Sequence, residues 1–130
     1  MYISPTERMK KIHLWIGTTT ADEETYNEYF DQEDDISQFS KDIGFNEEYD
    51  EDFIGILPLF GKEIPVEDIL ENEVPLDKNS VAEVLEICKK MGIEKANAAF
   101  YLTDSSITVE EPYKDEYNGL KYIGEYKSAL

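Results

Sequence analysis

Ile12-His13-Leu14-Trp15-Ile16 is the stretch that sets the fold. Aliphatic Ile12, Leu14 and Ile16 alternate with the rings of His13 and Trp15, and a period of two is the side-chain period of a β-strand. Because both faces of this strand carry substantial side chains, the pattern predicts an interior strand of a sheet.

On its C-terminal side, Thr20 and Glu23 form a capping box for a helix that runs to about Phe30 with Tyr26, Tyr29 and Phe30 inward. A second short helix is signalled by Asp35 as N-cap, by Ile36, Phe39 and Ile43 at helical spacing, and by Gly44 as terminator. Phe53-Ile54-Gly55-Ile56-Leu57 has strand length and stops at Pro58, which has no N–H for a ladder. Pro65 opens the first turn of a short helix through Leu70, and Pro75 with Asp77 to Asn79 reads as a connection. The clearest helix is Ser80 to Met91: Ser80 and Glu83 make a capping box, and Val81, Val84, Leu85, Cys88 and Met91 form one apolar stripe. Lys89 and Lys90 suit its negative end and Gly92 its stop. Ala96 to Leu102 alternates as a strand, Thr103 to Ser106 is a polar turn, Ile107 to Val109 predicts a partner strand, and Leu120 to Tyr126 another. Strands and helices intersperse without strict alternation. The expected architecture is therefore a single α+β domain over residues 10–130, with a mixed or mainly antiparallel sheet packed against helices, preceded by a loose extension over residues 1–9.

The composition is compatible with that plan. A chain of 130 residues buries roughly two-thirds of its unfolded surface, and 41% hydrophobic residues with 12% aromatics supply a core despite a net charge of −18. The single cysteine, Cys88, excludes an internal disulfide framework and any multi-cysteine zinc site, and points to a reducing compartment. No apolar run approaches a membrane span and no secretory signal pattern precedes Lys11, so a cytoplasmic location is expected. Twelve scattered Lys and Arg against thirty acids argue against direct binding of nucleic acid.

The charge is localised. From Asp22 to Asp52 there are fourteen acidic residues and one lysine, Lys41, so this window carries −13 of the −18. Such a density costs stability through self-repulsion but steers a basic partner. A solvated face that aids solubility is the alternative. Within the window, Glu33, Asp34 and Asp35, together with Glu47, Glu48, Tyr49, Asp50, Glu51 and Asp52, form the candidate partner-binding set. Tyr49 and Phe53 flank three of these carboxylates, and aromatic anchors beside charges suit a protein interface; Phe53 opening a core strand with Tyr49 packed beside it is the other reading.

Other chemistry finds little support. The only histidine, His13, has no local catalytic partner, and Cys88 lies on the apolar stripe, where a packing thiol is expected. Neither Asp31 to Asp35 nor Asp50 to Asp52 has the spacing of a calcium loop, and the seven glycines are isolated rather than arranged to cradle phosphate. No metal or cofactor is called for. A carboxylate-pair hydrolase and a general nucleic-acid mimic stay open as alternatives to a binding protein.

Taken in order, His13-Leu14-Trp15-Ile16-Gly17, Tyr29-Phe30, Phe39-Ser40-Lys41-Asp42-Ile43-Gly44, Tyr49-Asp50-Glu51-Asp52-Phe53 and Lys95-Ala96-Asn97-Ala98 resemble the immunity protein 22 family of bacterial polymorphic toxin systems. The likeness covers roughly Lys10 to Leu102, and the tail from Thr103 adds little to it. It implies a small cytoplasmic α+β protein, encoded beside a toxin, that binds the toxin domain and blocks it; many such toxins are nucleases. The acidic segment adds the expectation that the cognate toxin is a basic protein, and the chain itself is expected to be no enzyme.

Overall fold

Strand β1 spans Lys11–Gly17 and lies inside the main sheet, as the alternation predicts. The structure, a computed structural model, describes Glu7 and residues 9–129; the expected loose extension over residues 1–9 lies, apart from Glu7 and Met9, outside the described residues. The remaining elements are α1 (Glu23–Glu28), α2 (Gln38–Asp42), β2 (Ile54–Ile56), β3 (Ile64–Pro65), α3 (Val66–Asn72), α4 (Val81–Lys90), β4 (Lys95–Ala96), β5 (Ala98–Leu102) and β6 (Lys121–Lys127). Short 3₁₀ turns over Glu51–Phe53 and Lys78–Ser80 precede β2 and α4. The main sheet has the order β2-β5-β1-β6 and is antiparallel throughout; β3 and β4 pair separately. This is the α+β class expected.

Each face of the sheet is covered. Trp15, Ala98, Phe100 and Leu102 point to one side, where they meet Tyr26 and Phe30 of α1, Phe39 of α2, and Ile107, Val109, Tyr117 and Leu120 from the β5–β6 connection. Trp15 stacks on Phe100 at 4.8 Å and meets the edge of Phe39 at 5.2 Å, geometries that aromatic quadrupoles favour. Ile12, Leu14, Ile16 and Ala99 point to the other side, against Val66, Ile69 and Leu70 of α3 and Val84 and Cys88 of α4. One residue alternation in β1 thus serves two cores.

Several local expectations are corrected. Helix α1 is capped by Asp22, whose carboxylate accepts from Thr25 N at 2.8 Å, rather than by Thr20; the preceding Thr19 backbone is already engaged by the Asn97 side chain at both its N–H and its carbonyl. Helix α2 is capped by Ser37 rather than Asp35, because Asp35 spends its carboxylate on the amide of Ile36. Ser80 makes no side-chain cap, and the turn before α4 is held by Asp77 accepting from Asn79 N. Pro65 stands one residue ahead of α3 and belongs to β3. Met91 is exposed, since α4 ends before its side chain reaches the core. Residues 107–109 form no strand: Ile107 N–H donates to Asp104 O, the Ile107 carbonyl accepts from His13, and Glu110 N–H donates to Ile43 O. The backbone of Ile107 is thus spent on loop and side-chain partners, while Ile107 and Val109 remain in the core.

Candidate functional site

Between α1 and β2 the chain makes two passes through acidic sequence, and the side chain of Gln32 joins them. Its Nε2 donates to the carbonyl of Tyr49 at 3.2 Å and its Oε1 accepts from the N–H of Tyr49 at 2.9 Å, so one amide replaces a backbone bridge. Nε2 also reaches Glu51 Oε1 at 3.4 Å. Buried serines hold the same layer from beneath: Ser37 Oγ accepts from Ser40 N, and Ser40 Oγ donates to the carbonyl of Glu47 at 2.8 Å. With the backbone anchored inward, the carboxylates are left facing solvent.

Glu33, Asp34, Asp35, Glu47, Glu48, Asp50, Glu51 and Asp52 are all exposed, and the Gln32 bridge places Glu33 to Asp35 beside Glu47 to Asp52. Tyr49 departs from the candidate set. It is 4% exposed, and its hydroxyl donates to the Phe30 carbonyl at 2.8 Å, with burial pushing its pKa up to about 12. Tyr49 therefore anchors the acidic segment to the core instead of facing a partner, held there by its hydroxyl and by the Gln32 bridge to its backbone. Phe53 is likewise buried. Asp50 has a structural duty, accepting from Asp52 N to cap the 3₁₀ turn, and Asp35 lies 3.8 Å from Lys41. Glu33, Asp34, Glu47, Glu48 and Asp52 have no partner for their side chains among the described residues.

Asp42 is the exception to exposure within the acidic window. Its side chain is only 11% exposed and receives the Tyr29 hydroxyl at 2.6 Å, the Gln38 amide at 2.9 Å and Lys114 Nζ at 3.0 Å. Burial works to raise its pKa, but the bonds from Tyr29, Gln38 and Lys114 prevail and hold it below the ordinary carboxylate value. It is a brace between α2 and the β5–β6 connection. A further acidic feature escaped the sequence reading: Glu24, Asn27, Glu28 and Asp31 line an open depression with Phe30 and Ile56 at its base. The spacing of Glu24 and Glu28 by four was the available signal, since these two positions share a face of α1; Asp31 lies beyond the helix.

The residues considered for catalysis are tied down. His13 is 2% exposed, with Nε2 at 2.8 Å from the Ile107 carbonyl and Nδ1 at 2.8 Å from the Tyr122 hydroxyl. Cys88 is buried against the aliphatic core, and burial pushes its thiol up to about 11, the setting of a packing residue. Among the described residues, no group of three or more His, Cys, Asp or Glu side chains is arranged to hold a metal ion, and no helix is long and apolar enough to cross a membrane.

The sheet is covered on both faces, its histidine and thiol are built into the cores, and the exposed carboxylates of residues 33–35 and 47–52 flank the Gln32 bridge. The sequence profile of the family described as Immunity protein 22 matches residues 12–128, and the chain belongs to that family. The match runs well beyond Leu102, so the β5–β6 connection and β6 are part of the family's domain. Membership carries an inhibitory role directed at a toxin. No curated protein and no solved structure matches the chain.

Proposed function

We propose that this chain is a cytoplasmic, non-catalytic inhibitor of a polymorphic toxin, and that it works by laying its acidic face over the cationic surface a nuclease toxin uses to hold phosphate. The observation that supports this reading is the Gln32 bridge, which ties the two separated acidic stretches together, with Lys41 3.8 Å from Asp35 as the ion pair made by their exposed carboxylates among the described residues. Opposed charge patterns speed encounter and fix register, and a face that covers the phosphate-binding groups blocks substrate entry without touching the catalytic atoms.

The test is co-expression with the product of the adjacent upstream gene, scored for growth rescue and co-purification, followed by charge reversal. Asp50 is left intact because it caps the 3₁₀ turn; Glu33, Asp34, Glu47, Glu48 and Asp52 are changed to Lys. Association in low salt is expected to slow by about tenfold or more. Unchanged association kinetics would remove this face from the interface, and a chain that binds many unrelated basic proteins equally well would be a general nucleic-acid mimic instead of a cognate inhibitor.

A further inference from the structure

Strand β2 is the edge of the main sheet, and its unpaired side opens toward the depression of Glu24, Glu28 and Asp31. Its ladder to β5 fixes which backbone groups are unused. Thr103 N–H donates to Phe53 O and Leu57 N–H donates to Ala99 O, so with the register Ile54↔Leu102, Gly55↔Tyr101, Ile56↔Phe100 the odd-numbered residues bond to β5. In an antiparallel pair the alternate residues turn their N–H and C=O outward. Ile54 N–H is absorbed by Glu51 O, which leaves the N–H of Ile56 and the carbonyls of Ile54 and Ile56 without partners among the described residues. Gly55 lets the Tyr101 ring close over the opposite face: a Cβ on Gly55 would lie 2.1 Å from Tyr101 Cζ. The strand is thereby pinned to β5 while its outer edge stays open.

We infer that the partner docks by adding a strand to the free edge of β2, as an extended segment whose alternate side chains are cationic. An edge with unused amides is a template for another chain. The rim selects which chain: Glu24 and Glu28 carry no cation, and Phe30 and Ile56 at the base accept the methylene stems of Lys or Arg while the charged heads reach the carboxylates. A second copy of this chain fits badly, since edge-to-edge pairing would bring two strongly acidic surfaces together. The inference rests on the inhibitory reading above and adds to it the mode of docking.

The probe is an amidated peptide of about seven residues, the length of a common strand, alternating lysine and valine and followed by amide NMR on the full chain. The Ile56 amide is expected to shift and its hydrogen exchange to slow by about tenfold on saturation. Ile56→Pro removes an N–H the β5 ladder does not use, a substitution edge strands tolerate, and should weaken binding about tenfold. Ile56→Ala, which keeps the N–H, should weaken it less. Peptide-induced shifts confined to the carboxylate residues, with Ile56 exchange unaltered in the wild-type chain, overturn strand addition without requiring any variant to fold. Concentration-dependent protection of Ile56 in the absence of peptide overturns the choice of occupant in favour of a second copy. If the toxin co-purifies and Ile56→Pro binds it as tightly as wild type, strand addition fails and the inhibitory reading stands. Should the peptide protect Ile56 while no toxin is neutralised, the reverse holds.

Discussion

The imidazole of His13 is held between partners that admit one neutral tautomer. A carbonyl only accepts, so the Nε2 facing Ile107 O carries the proton, and Nδ1 receives the hydroxyl of Tyr122. Burial lowers the pKa from 6.5, while the Ile107 bond and the charges of Glu125 and Asp104 act to raise it. The unfolded chain thus takes up a proton near pH 6.5 that the folded chain takes up only at lower pH. In that interval the unfolded state binds more protons, so stability falls as pH falls. The contribution is complete above pH 6.5 and shrinks below it. His13→Gln, which cannot titrate, should be less stable than wild type by about 1–2 kcal/mol at neutral pH, and its deficit should narrow on acidification down to about pH 5, above the main carboxylate titrations. Urea unfolding of both proteins across this range checks the assignment; a deficit independent of pH would contradict it. None of this was visible from residue 13 alone, because Ile107 and Tyr122 lie 94 and 109 positions away.

At the scale of elements, the long strands and the glycine stops Gly44 and Gly92 were readable, and the N-caps were not. β1 and β5 announced themselves because their alternation matches burial on two faces. Cap positions were missed by two residues at α1 and α2, where Thr, Ser and Asp are dense enough to offer several candidates and tertiary bonds choose among them. Asn97 holds the Thr19 backbone just ahead of the helix while Asp22 takes the cap expected of Thr20, and Ser40 bonded to Glu47 O fixes the turn that Ser37 opens. Ile107 to Val109 alternates like a strand, but β5, its expected partner, already has β2 and β1 on its two sides, so the segment spends its backbone elsewhere. The acidic face was legible as charge and illegible as surface, since its continuity depends on the amide of Gln32, an unremarkable residue in sequence. Gln32→Ala should cost about 1–2 kcal/mol through the two lost bonds to Tyr49. More specifically, it should raise the exchange rate of the Tyr49 amide while leaving β1 and β5 amides protected; equal exchange at Tyr49 in both proteins would mean the bridge does not hold the two stretches together.

For the whole molecule, the acidic window sets stability and association against each other. Thirteen of its fourteen carboxylates are exposed, Asp42 alone being largely enclosed, and Lys41 is its sole internal cation. Like charges at this density repel one another in the folded state more than in an expanded chain, so the face costs stability at low ionic strength. The same field draws in a cationic partner. Neutralising four carboxylates that have no structural duty, as Glu33→Gln, Asp34→Asn, Glu47→Gln and Glu48→Gln together, should therefore raise the thermal midpoint and slow association with the toxin in one variant. Both differences should be largest at about 0.01 M ionic strength, where the Debye length is about 30 Å, and contract by about 0.15 M, where it is about 8 Å. Thermal unfolding and stopped-flow association on the same preparations separate the two readings of the charge. A solvated face that merely aids solubility predicts a gain in stability with no change in association rate, whereas a docking face requires the gain and the loss to appear together and to fade together with salt.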